Sequence, residues 1–189
     1  MRKTLAAVFA ATLAVAVPSA QSNIAKPERF TAFAVDTSTL TNSARTSTVD
    51  VSISRWSTDA ERDRLLTILH DKGQDALLSE LQKLPPVGYI NTPGSLRYDL
   101  HFAWQRPEPE GGRMVVLMTD RYIGAWEAHN RPRTIDYPFL LLQLDLDKAG
   151  SGVGKASLYT KIRQTKDGTI ELENFANQPV MLNDVRKVQ

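Results

Sequence analysis

Apolar residues alternate with polar ones along most of this chain, and at one place, residues 56–84, the alternation gives way to helical spacing. Such a pattern builds a sheet and rests one helical insertion on it. Thr58-Asp59-Ala60-Glu61 forms a capping box: the Thr58 hydroxyl accepts the Glu61 amide, and the Glu61 carboxylate reaches back to the Thr58 amide. Asp59, Glu61 and Asp63 add negative charge where the helix dipole is positive. Leu65, Leu66, Ile68 and Leu69 then gather on one side, and Gly73 suits a positive-φ stop. Leu77, Leu78, Leu81 and Leu84 make the stripe of a second helix, which Pro85-Pro86 ends. The spacing predicts helices over 58–70 and 74–84. Burying one Leu is worth roughly 1.5–3 kcal/mol, so two short rods of this kind depend on a partner surface, which the rest of the chain supplies as a sheet.

Strands are expected at 30–35, with Phe30, Ala32 and Ala34 on one face, and at 48–56, with Val49, Val51 and Ile53 inward. Another is expected at 87–91, followed by a turn at 92–95. Residues 96–106 place Tyr98, Leu100, Phe102 and Trp104 on one face of a strand, against Arg97, Asp99 and His101 on the other. That aromatic row either lines a ligand pocket or fills core. Residues 114–119 are apolar on both sides, as in a strand covered on both faces. Residues 137–147 and 155–164 form a long hairpin around Gly150, Gly152 and Gly154, with Leu140, Leu142, Leu144 and Leu146 inward and Ala156, Leu158, Thr160 and Ile162 on one side. A last hairpin pairs 169–175 with 180–185 around Asn177-Gln178-Pro179. Parallel neighbours need a long crossover, so short turns make the sheet mostly antiparallel. The fold class is α+β: a predominantly antiparallel curved sheet, open β-barrel or sandwich of about seven to nine strands carrying the helical pair.

At the start, Arg2-Lys3 precedes an apolar run over 5–17 closed by Pro18-Ser19-Ala20-Gln21-Ser22, the order of a secretory signal peptide. Residues 1–22 are therefore read as a leader and 23–189 as a single α+β domain, periplasmic or secreted. The apolar run is short for a membrane span, and no later segment approaches that length. Without Arg2 and Lys3 the 23 basic residues fall to 21, equal to the 21 acidic ones, and no basic run stands out. A nucleic-acid surface is not expected. The chain has no cysteine, which removes disulfides, thiol nucleophiles, cysteine metal sites and a lipidated cysteine anchor.

Catalytic templates find little to match. The 3 histidines, His70, His101 and His129, show no metal-ligand spacing, so no metal and no cofactor is expected. Gly94-Ser95 lacks the flanks of a nucleophile elbow, and the 145–150 stretch lacks the ligands of a calcium loop. Residues 120–136 show no clear period. They hold Asp120, Arg121, Tyr122, Trp126, Glu127, His129, Asn130, Arg131, Arg133 and Asp136, either a solvated crossover or the place where a polar site gathers.

Arg55-Trp56-Ser57-Thr58 with Glu61-Arg62-Asp63-Arg64-Leu65, Leu84-Pro85-Pro86-Val87-Gly88-Tyr89-Ile90, Thr119-Asp120-Arg121 with Trp126-Glu127, and Ile170-Glu171-Leu172-Glu173-Asn174 with Gln178-Pro179-Val180 resemble a family of small exported bacterial proteins of unassigned function. The resemblance covers nearly the whole mature chain. It implies one compact domain and an envelope location, and it carries no catalytic residues across.

Three functions stay open. The first is a non-catalytic binding module for a small apolar or amphipathic ligand, held between sheet and helices by Trp56, Tyr98, Phe102 and Trp104, with Trp126 and His129 as further candidates. The second is an acid-base hydrolase or isomerase using His101 or His129 with Asp120 or Glu127 in the 97–136 region. The third is a structural module that meets another envelope protein through a sheet edge or an exposed apolar patch.

Overall fold

The computed structural model describes residues 26–37, 45–94, 97–123, 125–165, 167–175 and 178–188, the side chains of 126–128 and 132 excepted. The leader, most of the loop after residue 36 and the turn residues Ser95, Lys166 and Asn177 lie outside the described residues.

The described strands are β1 (Glu28–Asp36), β2 (Arg45–Ile53), β3 (Gly88–Asn91), β4 (Tyr98–Leu100), β5 (Phe102–Pro107), β6 (Arg113–Asp120), β7 (Phe139–Leu146), β8 (Ser151–Gln164), β9 (Ile170–Asn174) and β10 (Val180–Val188). Helices α1 (Asp59–Lys72) and α2 (Gln74–Leu81) lie between β2 and β3, and α3 (Ala125–Asn130) with a 3-10 turn (Pro132–Asp136) lies between β6 and β7. Every strand pairing is antiparallel, in the order β4-β3-β2-β1-β10-β8-β7-β6-β5. The two ends of that order are consecutive pieces of one run, residues 98–107, bent at His101. The sheet therefore curls back to meet itself.

The seam is stitched on both sides of the bend. His101 N–H donates to the Met118 carbonyl at 3.3 Å, Val87 N–H to that of Leu100 at 2.7 Å, and the Thr119 hydroxyl to that of Asp99 at 2.6 Å. With β4 and β5 counted as one strand, the result is a nearly closed up-and-down barrel, in which successive strands are neighbours and the last returns to the first. Closure pairs the two ends of the main strand order, which an open sheet would leave as edges, while β9 lies off that path and pairs only with β8 among the described residues.

Two apolar layers form, one on each face of the barrel wall. Inside lie Phe30, Val51, Ile53, Val115, Leu117, Leu144, Leu146 and their neighbours. Outside, Leu65, Leu69, Leu77 and Leu81 of the helical pair cover Phe102, Met118, Phe139 and Ile162. The apolar stretch 114–119 is thus buried on both faces, Val115 and Leu117 inward and Val116 and Met118 under the helices. The capping box forms as expected: Glu61 N–H donates to Thr58 Oγ1 at 3.1 Å, and Thr58 N–H to Glu61 Oε2 at 2.7 Å. Leu66 turns to solvent, and α2 ends at Leu81, short of Leu84, because the last turn tightens through bonds from Lys83 to Glu80 and from Leu84 to Leu81.

Three sequence expectations are corrected. The strand at 170–174 does not pair with 180–188; β9 pairs with the far end of β8, while β10 lies between β8 and β1. Tyr98, Leu100, Phe102 and Trp104 do not share a face. Leu100 and Ala103 both belong to the interior layer, so His101 and Phe102 face outward in succession and the alternation slips by one residue. A second slip occurs in β8, where Leu141 pairs with Ser157 but Phe139 pairs with Thr160. Leu158 and Tyr159 therefore stand together opposite Leu140, a bulge that turns Ile162 outward while Ala156 stays inside.

Candidate functional site

The barrel interior tapers from large side chains to small ones. Along β1 the inward positions read Phe30, Ala32, Ala34, and along β2 in the same direction Ile53, Val51, Val49; β8 runs the other way, with Gly152 opposite Leu146 near the filled end and Ala156 at the hollow one. At the end where β1 begins, bulky residues fill the interior. At the other end the small ones leave it hollow. A cavity of about 480 Å³ opens there, walled by Ala34, Val49, Ile90, Leu140, Leu142, Ala156, Leu158, Val180 and Leu182. Asp36, Arg45, Thr46, Ser47, Thr92, Tyr98, Arg121, Tyr122 and Tyr159 complete its lining, most of them at or just beyond strand ends. An eight-strand barrel has an interior that side chains can just fill or that can hold one small ligand. Here the choice is made by residue size at each end.

The filled end is stoppered. Trp56 is buried, and its indole Nε1–H donates to the Lys26 carbonyl at 3.0 Å. The Arg113 guanidinium lies 5.9 Å from that ring and 5.8 Å from Phe30, and pairs with Glu28 at 2.5 Å. Gln105 Oε1 accepts from Arg113 at 2.6 Å, and Lys187 reaches Glu28 at 3.1 Å.

One wall of the mouth is aromatic. Arg121 is buried with its guanidinium 4.2 Å over the Tyr159 ring, donating to the Tyr137 carbonyl at 3.1 Å and the Thr134 carbonyl at 2.9 Å. Phe175 packs edge-on against Tyr137 at 5.3 Å and tilted against Tyr159 at 6.5 Å. The Tyr137 hydroxyl donates to Glu173 at 2.5 Å. That bond raises the Tyr137 pKa and lowers that of Glu173, because it favours the neutral phenol and the ionised carboxylate.

The structure does not gather the residues singled out from sequence. Tyr98 lines the cavity. Trp56 plugs the opposite end. Phe102 and Trp104 lie outside the wall under α1, where Trp104 Nε1 donates to Asp59 at 2.8 Å and Arg62 stacks at 4.7 Å. His129 is exposed near the end of α3, and the Trp126 side chain lies outside the described residues. The stretch 120–136, which has no clear period in sequence, forms α3 and the 3-10 turn beside the mouth.

Of the acid-base set, His101 and Asp120 do approach each other, Nε2 to Oδ1, at 3.9 Å. His101 Nδ1 lies 2.7 Å from the Leu84 carbonyl. A carbonyl only accepts, so Nδ1 carries the proton. Gln82 donates to Asp120 at 3.0 Å. These contacts fasten the end of α2 to the outer wall at the seam, on the other side of the strand from the cavity. Among the described residues no group of three or more His, Asp or Glu is placed to hold a metal ion, and no helix is long and apolar enough to cross a membrane.

Fold and cavity together define a class by architecture: an antiparallel up-and-down barrel with a helical pair outside, one end stoppered and the other hollow. Compared with protein-family models, curated proteins and solved structures, the chain matches none of them significantly. The resemblance to small exported bacterial proteins therefore rests on its motifs alone.

The residues that sequence reasoning missed are Ala34, Ala156, Arg45 and the Leu158-Tyr159 bulge. The signal for the alanines was available in the shrinking inward positions of β1. The bulge left none.

Proposed function

We propose that the protein is an exported, non-catalytic binding module that holds a small apolar or amphipathic molecule in the hollow end of its barrel. The carrying observation is the 480 Å³ cavity whose walls are aliphatic and whose polar groups are grouped toward one opening. That volume lies in the range of small-molecule sites. The leader-like order of charge, apolar run and small residues over 1–22 supports export.

The test uses N-phenyl-1-naphthylamine, a dye that brightens in apolar surroundings, because Trp56 and Trp104 stand away from the cavity and would report binding poorly. Saturable brightening is expected. Ala156→Phe should weaken it by at least about tenfold by filling the space, without lowering the melting temperature. Absence of saturable brightening, or brightening that Ala156→Phe leaves unchanged in the folded protein, overturns the proposal.

A further inference from the structure

The cavity's charge distribution bears on what its occupant carries at the exposed end, an inference that rests on the binding reading above. The deeper walls are hydrocarbon, whereas among the described residues the ionisable lining groups other than tyrosine are Asp36, Arg45 and Arg121. Two guanidiniums thus face one carboxylate. Arg45 is exposed at the first position of β2 and makes no ion pair among the described residues, even though Asp36 stands opposite it in the strand register. Arg121 is fixed in place by two backbone carbonyls and the Tyr159 ring, so its charge stays at the mouth.

We infer that the ligand is a single-chain anionic amphiphile, its hydrocarbon tail in the barrel and its anionic head at the rim beside Arg45. Size agrees with one chain. A cavity of about 480 Å³ lies toward the lower part of the range of small-molecule sites, which suits one hydrocarbon chain better than several. Each methylene taken from water favours binding whatever the head, so the tail supplies affinity. The head decides among amphiphiles of equal length, because an anion at the rim is attracted where a cation is repelled. At a solvent-exposed rim that preference is modest.

The experiment displaces N-phenyl-1-naphthylamine from the full mature chain with dodecanoate, 1-dodecanol or dodecyltrimethylammonium, each below its aggregation concentration. Dodecanoate is expected to displace the dye at about tenfold lower concentration than the cation, with the alcohol between them. In Arg45→Gln, whose side chain lies at the surface and carries no core packing, the advantage of dodecanoate over dodecanol should shrink to near parity. Equal displacement by all three, or a preference for the cation, overturns the anionic head while leaving the apolar cavity reading intact. Failure of the dye itself to bind overturns both.

Discussion

Arg113 and Glu28, 85 residues apart in sequence, meet through two contacts, Nη2 to Oε2 at 2.5 Å and Nη1 to Oε1 at 3.2 Å. The pair joins the start of β6 to the start of β1 across the filled end of the barrel. A bidentate guanidinium–carboxylate contact fixes direction as well as distance. Strands from opposite sides of the sheet are held at one spacing beneath the Trp56 ring.

Removing one partner should cost more than the pair contributes, because the other charge is left without its main contact. Arg113→Ala is expected to lower stability by roughly 2–3 kcal/mol, less than for a wholly buried pair because Lys187 still reaches Glu28 at 3.1 Å. Urea titration of Arg113→Ala, Glu28→Gln and the double variant measures the coupling. A double variant that costs the sum of the singles would show that the contact carries nothing.

Two neighbouring inward positions of β8 should respond oppositely to added bulk. A Cβ on Gly154 would lie 2.5 Å from the Gln143 carbonyl oxygen and 2.8 Å from Leu144 Cδ2, so Gly154→Ala should destabilise by about 1–3 kcal/mol. Ala156 borders the cavity, and Ala156→Leu should leave thermal stability unchanged or higher while reducing dye binding. Melting curves of the two variants decide it. Equal losses would mean that the hollow end is packed.

The helical layer should be separable from the cavity. Leu81 is fully buried on the outside of the wall, and Leu81→Ala is expected to cost roughly 2–5 kcal/mol. Because that face is not the one that lines the cavity, dye affinity per folded molecule should not change. Calorimetry and dye titration on the same sample provide the check, and a large affinity loss in folded Leu81→Ala would show that the layers are coupled.

The capping box gives a prediction in pH. Thr58→Ala should lower stability by about 1 kcal/mol. The Glu61 carboxylate is held below the ordinary carboxylate pKa, first by its hydrogen bond from Arg55 and further by the Thr58 amide. A group whose pKa falls on folding binds more protons when unfolded, so its contribution is full above the ordinary value and is lost as pH falls through the lowered one. The difference between the parent chain and Glu61→Gln should therefore be constant near neutrality and shrink below about pH 4.5. A gap that stays constant into that acid range would contradict the assignment.

Local features were legible in sequence because their causes are local. Thr58 and Glu61 are one turn apart and must meet if a helix starts there. The short turns after β5, β7 and β8 force antiparallel neighbours. Leu140, Leu142, Leu144 and Leu146 face inward because a strand without a bulge has period two. The candidate site was mostly not legible. Phe102 and Trp104 read as continuing the Tyr98 row, and only the bend at His101 sends them to the other side of the wall.

The amino-acid order alone determined a meander of strands, a capped helical pair leaning on it, and a size gradient from Phe30 to Ala34. Tertiary structure decided that the meander closes, that β9 joins β8 instead of β10, and which end of the barrel is hollow. Closure depends on twist accumulated over many strands, and a one-residue bulge reverses every side chain beyond it. Neither quantity is stored in any short stretch of sequence.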